Sequence, residues 1–186
     1  MTTCATCQTE FTKQRMGQRV CSPICASRLV QADKKQAKER AKLDRALDAQ
    51  RKRSLETIPE LIKKAQHAFN AFIRERDKDK PCICCGKPLE SDSVGGGFDC
   101  GHYRSTGSAS HLRFDERNAA GQRKHCNRYG AGRAVDYRIG LIARIGLEAV
   151  EALEAENTPV KWERDTLRQI ATIYRAKLRE LKKGNA

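Results

Sequence analysis

Nowhere in this 186-residue chain does an apolar run reach the ~18 residues that a membrane-spanning helix needs, so no membrane partner is expected. The N-terminus, MTTCATCQTEF, lacks the apolar stretch of a secretory leader, so a reducing cytoplasm is the expected location. Aromatic residues make up 5% of it and hydrophobic residues 39%, against 32% charged. That balance excludes a core larger than one modest domain and leaves much helical surface to water or to a partner. Acidic residues are also short, with 23 Asp and Glu against 37 Lys and Arg, for a net charge of +14. Such an excess favours a polyanion, because Lys and Arg neutralising phosphates supply most of the sequence-independent affinity for DNA. No internal repeat is present, and nothing points to a small-molecule substrate.

Cysteine, by contrast, is plentiful, with nine residues. In a reducing compartment that number argues for metal rather than disulfides. Cys4-x2-Cys7 and Cys21-x3-Cys25 are two close pairs that can wrap one tetrahedral Zn²⁺ and so order residues 1–27, a segment too small to fold by burial. Residues 28–56 contain no Gly or Pro and are rich in Ala, Lys, Arg, Gln and Leu, which predicts a helix with only a thin apolar stripe. It reads either as a solvated spacer or as a basic arm along a phosphate backbone, and Arg51, Lys52 and Arg53 favour the arm. Thr57 and Pro59 mark a helix start. From Leu61 to Ile73 apolar residues recur at three- and four-residue spacing, predicting an amphipathic helix to about Arg76 with His67 beside its stripe. After Gly132, residues 133–186 read as further helices: one to Asn157-Thr158-Pro159, whose continuity Gly140 and Gly146 weaken, and an amphipathic segment from about Lys161.

The remaining segment, within residues 57–132, carries the chemistry. Residues 81–132 hold five of the nine cysteines and three of the four histidines, in the order Cys82, Cys85, Asp99, His102, Asn118, Cys126, Asn127. Cys82 to Leu89 reads as a knuckle, Gly95-Gly96-Gly97 as a hairpin connection, Phe98 to Tyr103 as a strand, and 104–116 as a loop in which His111, Leu112 and Phe114 fold back. Cys82, Cys85 and Cys126 are three ligands for a structural Zn²⁺ that needs four, with Cys84, Cys100 or His125 as the fourth.

The order and spacing resemble the HNH, or ββα-metal, nucleases. The resemblance implies that His102 is a general base activating water, that Asn118 orients it through a hydrogen bond, and that Asn127 is a metal ligand. Where many HNH proteins have Asp or Glu immediately before the His, this chain has Gly101. Asp99 lies on the same strand face as position 101 and is the candidate partner of Asn127 on a catalytic Mg²⁺ or Mn²⁺. Arg123 stands where a second Cys-x-x-Cys would begin. The phrases FNAFIRERD, PCICCG, FDCGHYRS, HLRFDERN, HCN and YRIGLIARIGLEAVEALE narrow the resemblance to the NinG (Rap) family of lambda-like phages, over nearly the whole chain. That family implies a structure-specific endonuclease on branched DNA such as Holliday junctions and D-loops, and cutting two opposed strands would suit a homodimer.

The expected fold is therefore mainly α with a small ββα-metal (HNH-like, treble-clef) module, preceded by a four-Cys zinc finger and a long basic helix. Arg51, Lys52, Arg53, Arg104, Arg123, Lys124 and Arg128 are the expected DNA contacts. The rival readings are a non-catalytic zinc-finger DNA-binding protein with His102 as a core or ligand residue, an HNH nicking or packaging enzyme with another DNA target, and an RNA-binding protein, since phosphate contacts do not separate DNA from RNA.

Overall fold

The computed structural model describes residues 1–90 and 96–184. These form two compact units, Met1–Glu56 and Thr57 onward.

In the first unit a short hairpin, β1 (Thr2–Thr3) and β2 (Glu10–Phe11), closes a knuckle around Cys4 and Cys7. Gln8 takes positive φ (63°) to make the turn, and the Gln8 N–H reaches Cys4 O at 3.0 Å. Helix α1 (Pro23–Leu55) starts where Ser22 Oγ accepts from Cys25 N, with Pro23 in the first turn. Along its 33 residues only Cys25 is buried, while Leu43 and Leu47 are 60% and 54% exposed. The helix therefore owes its persistence to propensity, not packing.

The second unit begins with α2 (Ile58–Asp77), which carries a full capping box: Thr57 Oγ1 accepts from Glu60 N, and the Glu60 carboxylate accepts from Thr57 N at 2.8 Å. Its apolar face, with Leu61, Ala65, Phe69, Phe72 and Ile73, packs on Leu167, Ala171 and Tyr174 of α5 (Arg164–Gly184). Strands β3 (Phe98–His102) and β4 (Ala119–Arg123) pair antiparallel in the register Phe98↔Arg123 to His102↔Ala119. The strand predicted at Phe98–Tyr103 is thus present, but its partner is β4, reached through the loop 103–118. Of the glycines expected to form a hairpin connection, Gly96 has φ +75° and Gly95 lies outside the described residues.

The second face of this hairpin meets α3 (Ala134–Ile145) and α4 (Leu147–Ala155), where Ile83, Leu112, Ala120, Tyr137, Leu141, Val150 and Leu153 form a separate core. Gly140 lets α3 press against the knuckle, because a Cβ there would lie 1.9 Å from Ile83 O. Gly146, at φ +86°, separates α3 from α4. Leu112 is buried and Phe114 packs edge-on against Phe69 and Trp162, so the loop does fold back as expected.

Asp77 ties these layers together, and the sequence reading passed it over. Fully buried at the end of α2, it accepts from Arg76 Nε and Nη2, Lys80 Nζ, Arg144 Nη1 and the backbone N–H of Gly121, at 2.8–3.0 Å. One carboxylate thus joins α2, β4 and α3. Burial pushes its carboxyl up, but Arg76, the Gly121 N–H and Lys80 outweigh it and hold the group well below the usual carboxylate range.

Candidate active site

His102 ends β3, on the face that looks towards α2, with its ring centroid 5.8 Å from that of Phe69. Its Nε2 lies 3.1 Å from the backbone oxygen of Arg113. A carbonyl can only accept, so Nε2 carries the proton and Nδ1 keeps the lone pair. Burial pushes the imidazole below its ordinary pKa and the Arg113 charge adds to this, against the opposing pull of the Arg113 carbonyl. The ring is neutral near pH 7, the state a general base requires.

Asn118 is fully buried beside the start of β4. Its Oδ1 accepts from Arg104 N at 2.8 Å, and its Nδ2 donates to Arg104 O at 3.0 Å and Leu112 O at 3.1 Å. All these bonds go to main chain. The direct Asn118–imidazole bond implied by the resemblance is replaced by an indirect one: Asn118 fixes the carbonyl of Leu112, and the next carbonyl, that of Arg113, holds His102.

Asp99 and Asn127 do meet. Asn127, in the wide π-type turn His125–Tyr129, donates Nδ2 to Asp99 Oδ2 at 3.1 Å. Arg128 grips both carboxylate oxygens, at 2.7 and 2.9 Å. Partial burial raises the Asp99 pKa, but Arg128 and Asn127 outweigh it and the net shift is downward. Asp99 shares the α3-side face with Gly101, whereas His102 is on the other. The structure thus brings Asp99 to Asn127 but not to His102. Beside Gly101 lies Gln122, 1% exposed, whose Oε1 would stand 2.1 Å from a Cβ at position 101. Gln122 Nε2 is held by Gly132 O at 2.8 Å and Cys84 Sγ at 2.9 Å. The space of the usual Asp or Glu is filled, and no feature of the sequence flags Gln122 for that part.

Of the expected DNA contacts, Arg51, Lys52 and Arg53 are exposed at the end of α1, and Arg128 is exposed while bound to Asp99. Lys124 precedes the wide turn, and Arg123 reaches Glu90 Oε1 at 3.0 Å. Arg104 is different. Its guanidinium binds the carbonyls of Leu153, Glu154 and Glu156 and the Asn157 side chain, so it caps the end of α4 rather than facing a phosphate. His111, whose Nε2 is 2.8 Å from Glu156 O, helps hold the same corner, and His67 is exposed.

The sulfurs of Cys4, Cys7, Cys21 and Cys25 all lie within 4.8 Å of one another, a set able to hold a metal ion. Cys21 N adds a hydrogen bond to Cys4 Sγ at 3.4 Å. The sulfurs of Cys82, Cys85 and Cys126 form a second such group, with Arg123 N 3.3 Å from Cys82 Sγ. Four soft thiolates suit tetrahedral Zn²⁺, and three provide most of a site. No helix among the described residues is long and apolar enough to cross a membrane.

Together these features define a strongly basic, mainly helical protein that has, among the described residues, two small two-stranded sheets and two cysteine groups able to hold metal. Residues 1–185 match the family described as "Bacteriophage Lambda NinG protein". The chain is 38% identical over 176 residues to "Protein ninG" of Salmonella phage P22, covering 87% of this chain and 83% of that protein. It is 37% identical over 180 residues to the protein of the same name from Escherichia phage lambda, covering 89% and 85%. Against that of Escherichia phage 933W the figure is 43% over 136 residues, covering 73% and 65%. The chain belongs to the NinG family. No solved structure matches it.

Proposed function

We propose that this chain is a metal-dependent endodeoxyribonuclease that cuts branched recombination intermediates such as Holliday junctions, with His102 as general base. The observation that carries the reading is the state of His102: a half-buried, neutral imidazole pinned through Nε2 to the carbonyl of Arg113, the residue after the one whose carbonyl Asn118 fixes, with Nδ1 keeping its lone pair. Selectivity for branched DNA is taken from the resemblance, and the charge of +14 supports a nucleic-acid partner. A two-fold homodimer would suit paired cuts.

The carboxylate of Asp99 and the amide oxygen of Asn127 are the hard donors that Mg²⁺ or Mn²⁺ prefers, and they are the residues that would hold it. When bound, the ion would supply charge stabilisation at the scissile phosphate. Arg128 now takes both Asp99 oxygens, so loading the site entails releasing Arg128, which then becomes free for a phosphate. The two cysteine groups are read as structural zinc sites.

That same ion pair, with Asp99 and His102 on opposite faces of β3, favours a second reading: a zinc-stabilised DNA-binding protein without catalysis. Measuring binding and cleavage of one labelled four-way junction by the wild type and His102→Ala separates the two. On the nuclease reading, affinity stays within about threefold while cleavage falls by orders of magnitude. Equal loss of both, or no cleavage by the wild type, favours the binding protein. Competition with linear duplex and structured RNA identifies other targets.

A further inference from the structure

Four thiolates close a tetrahedral zinc site, whereas three leave one position for something else. In the second cysteine group only Cys82, Cys85 and Cys126 converge, and no other His, Cys, Asp or Glu among the described residues joins them within 4.8 Å. None of the three residues considered for the fourth place joins them at that distance. Cys84 lies against the Cys82 thiol but outside the converging group, and its Sγ accepts from Gln122 Nε2 at 2.9 Å and stands 3.8 Å from Gly132 O. Cys100 packs against the α2–α5 core, and His125 is exposed in the turn after β4. Position 123, which a Cys-x-x-Cys would occupy, brings an arginine: its backbone N–H points at Cys82 Sγ, and its guanidinium lies against Glu90. A second arginine, Arg133, lies beside Cys126 and pairs with Asp136 at 2.7 Å.

Zn²⁺ with three thiolates carries one net negative charge, one less than with four. Arg123 and Arg133, paired with Glu90 and Asp136, keep balanced charge near it, so an anionic fourth ligand is tolerated as well as a neutral one. Cys82 and Cys126 are buried, so the partly exposed Cys85 marks the side open to solvent.

We infer that Cys82, Cys85 and Cys126 hold a zinc ion whose fourth position is filled from solution, by water or hydroxide at rest, and that a small thiol can take this position. The exchange balances without a redox step: a thiol RSH meets zinc-bound hydroxide, the zinc–sulfur bond forms, the zinc–oxygen bond breaks, and the thiol proton leaves with the departing water. The inference rests on reading both cysteine groups as zinc sites and is independent of nuclease activity.

The test uses full-length protein with zinc replaced anaerobically by Co²⁺, whose sulfur-to-metal absorption scales with the number of bound thiolates. The two groups supply four and three thiolates, seven in all. Adding 2-mercaptoethanol is expected to raise that absorption by about one-seventh, one thiolate's share, with two metal ions per chain retained by native mass spectrometry. In Arg123→Cys the absorption should start at the higher value and not respond. Two bound ions with no response in the wild type would overturn the inference, since a protein group then fills the place. So would a single bound ion unaffected by Cys82→Ser, or loss of an ion in Cys84→Ser or His125→Ala. None of these readouts involves DNA, so a failure here is distinct from a failure of the nuclease reading.

Discussion

Replacing Asp77 by Asn keeps the shape of the side chain and removes its charge from the place where α2, β4 and α3 meet. The wild-type carboxylate is fully buried and receives five hydrogen bonds, four from charged groups. Hydrogen bonds to charged groups are worth ~1.5–3 kcal/mol each but are not additive, and breaking a buried ion pair typically costs ~3–5 kcal/mol. Arg76 keeps the carbonyls of Glu116 and Ala119, and Arg144 keeps that of Pro81, which softens the loss. The expected destabilisation is therefore about 3–5 kcal/mol, or a Tm lowered by roughly 10–20 °C for a unit of this size. Thermal and urea unfolding followed by circular dichroism at neutral pH reads it directly. The pH dependence has a definite sign. The folded pKa lies below the unfolded one, so this stabilisation is present above the unfolded value of about 4 and is lost as pH falls through the folded value. The gap between wild type and Asp77→Asn should thus narrow in acid. A gap below ~1 kcal/mol, or one that does not change with pH, would refute the hub assignment.

Three further outcomes follow from the site. Because His102 is held below the ordinary imidazole pKa of about 6.5, cleavage should fall only as pH drops below that value and should plateau before neutrality, as a pH–rate profile would show. Gly101→Ala places a methyl against Gln122 Oε1 and should cost about 1–3 kcal/mol in unfolding experiments, with Gly101→Asp worse still. Changing Arg51, Lys52 and Arg53 together to Ala should lower the log–log salt dependence of DNA binding by about 2–3, read by titrations at several salt concentrations; an unchanged slope means the end of α1 does not touch phosphate.

Much of the architecture was written locally in the sequence. The helix start at Thr57 and Pro59, the three- and four-residue spacing from Leu61 to Ile73 and the pairing of Cys4-x2-Cys7 with Cys21-x3-Cys25 each correspond to a feature in the structure, and of the two glycines that weakened the later helix Gly146 separates α3 from α4 while α3 runs on through Gly140. Strand β4 was not legible, because Ala119-Ala120-Gly121-Gln122-Arg123 has no β-branched or aromatic residue. It is a strand through burial between two cores, a tertiary effect. Asp77 was hidden for a similar reason, since an acid in the last turn of a helix opposes the macrodipole, and besides its neighbours Arg76 and Lys80 it gains its place from Arg144 and the Gly121 N–H, both distant in sequence. At the site, spacing pointed to His102, Asn118 and Asn127 but not to their bonding. That Asn118 acts on the loop backbone, that Arg104 caps α4 and that Gln122 fills the space beside Gly101 depend on contacts across many residues. The alternation that united Asp99 with Gly101 also set Asp99 apart from His102, a consequence available from strand geometry alone.

The central claim is tested most directly by incubating the protein with a labelled four-way junction and its linear duplex counterpart, in Mg²⁺ or in EDTA, beside His102→Ala. The account predicts cuts near the branch point that need the divalent ion and vanish in the variant. Tight binding of the junction with no cut in Mg²⁺ or Mn²⁺, or cutting that survives in His102→Ala, would contradict it.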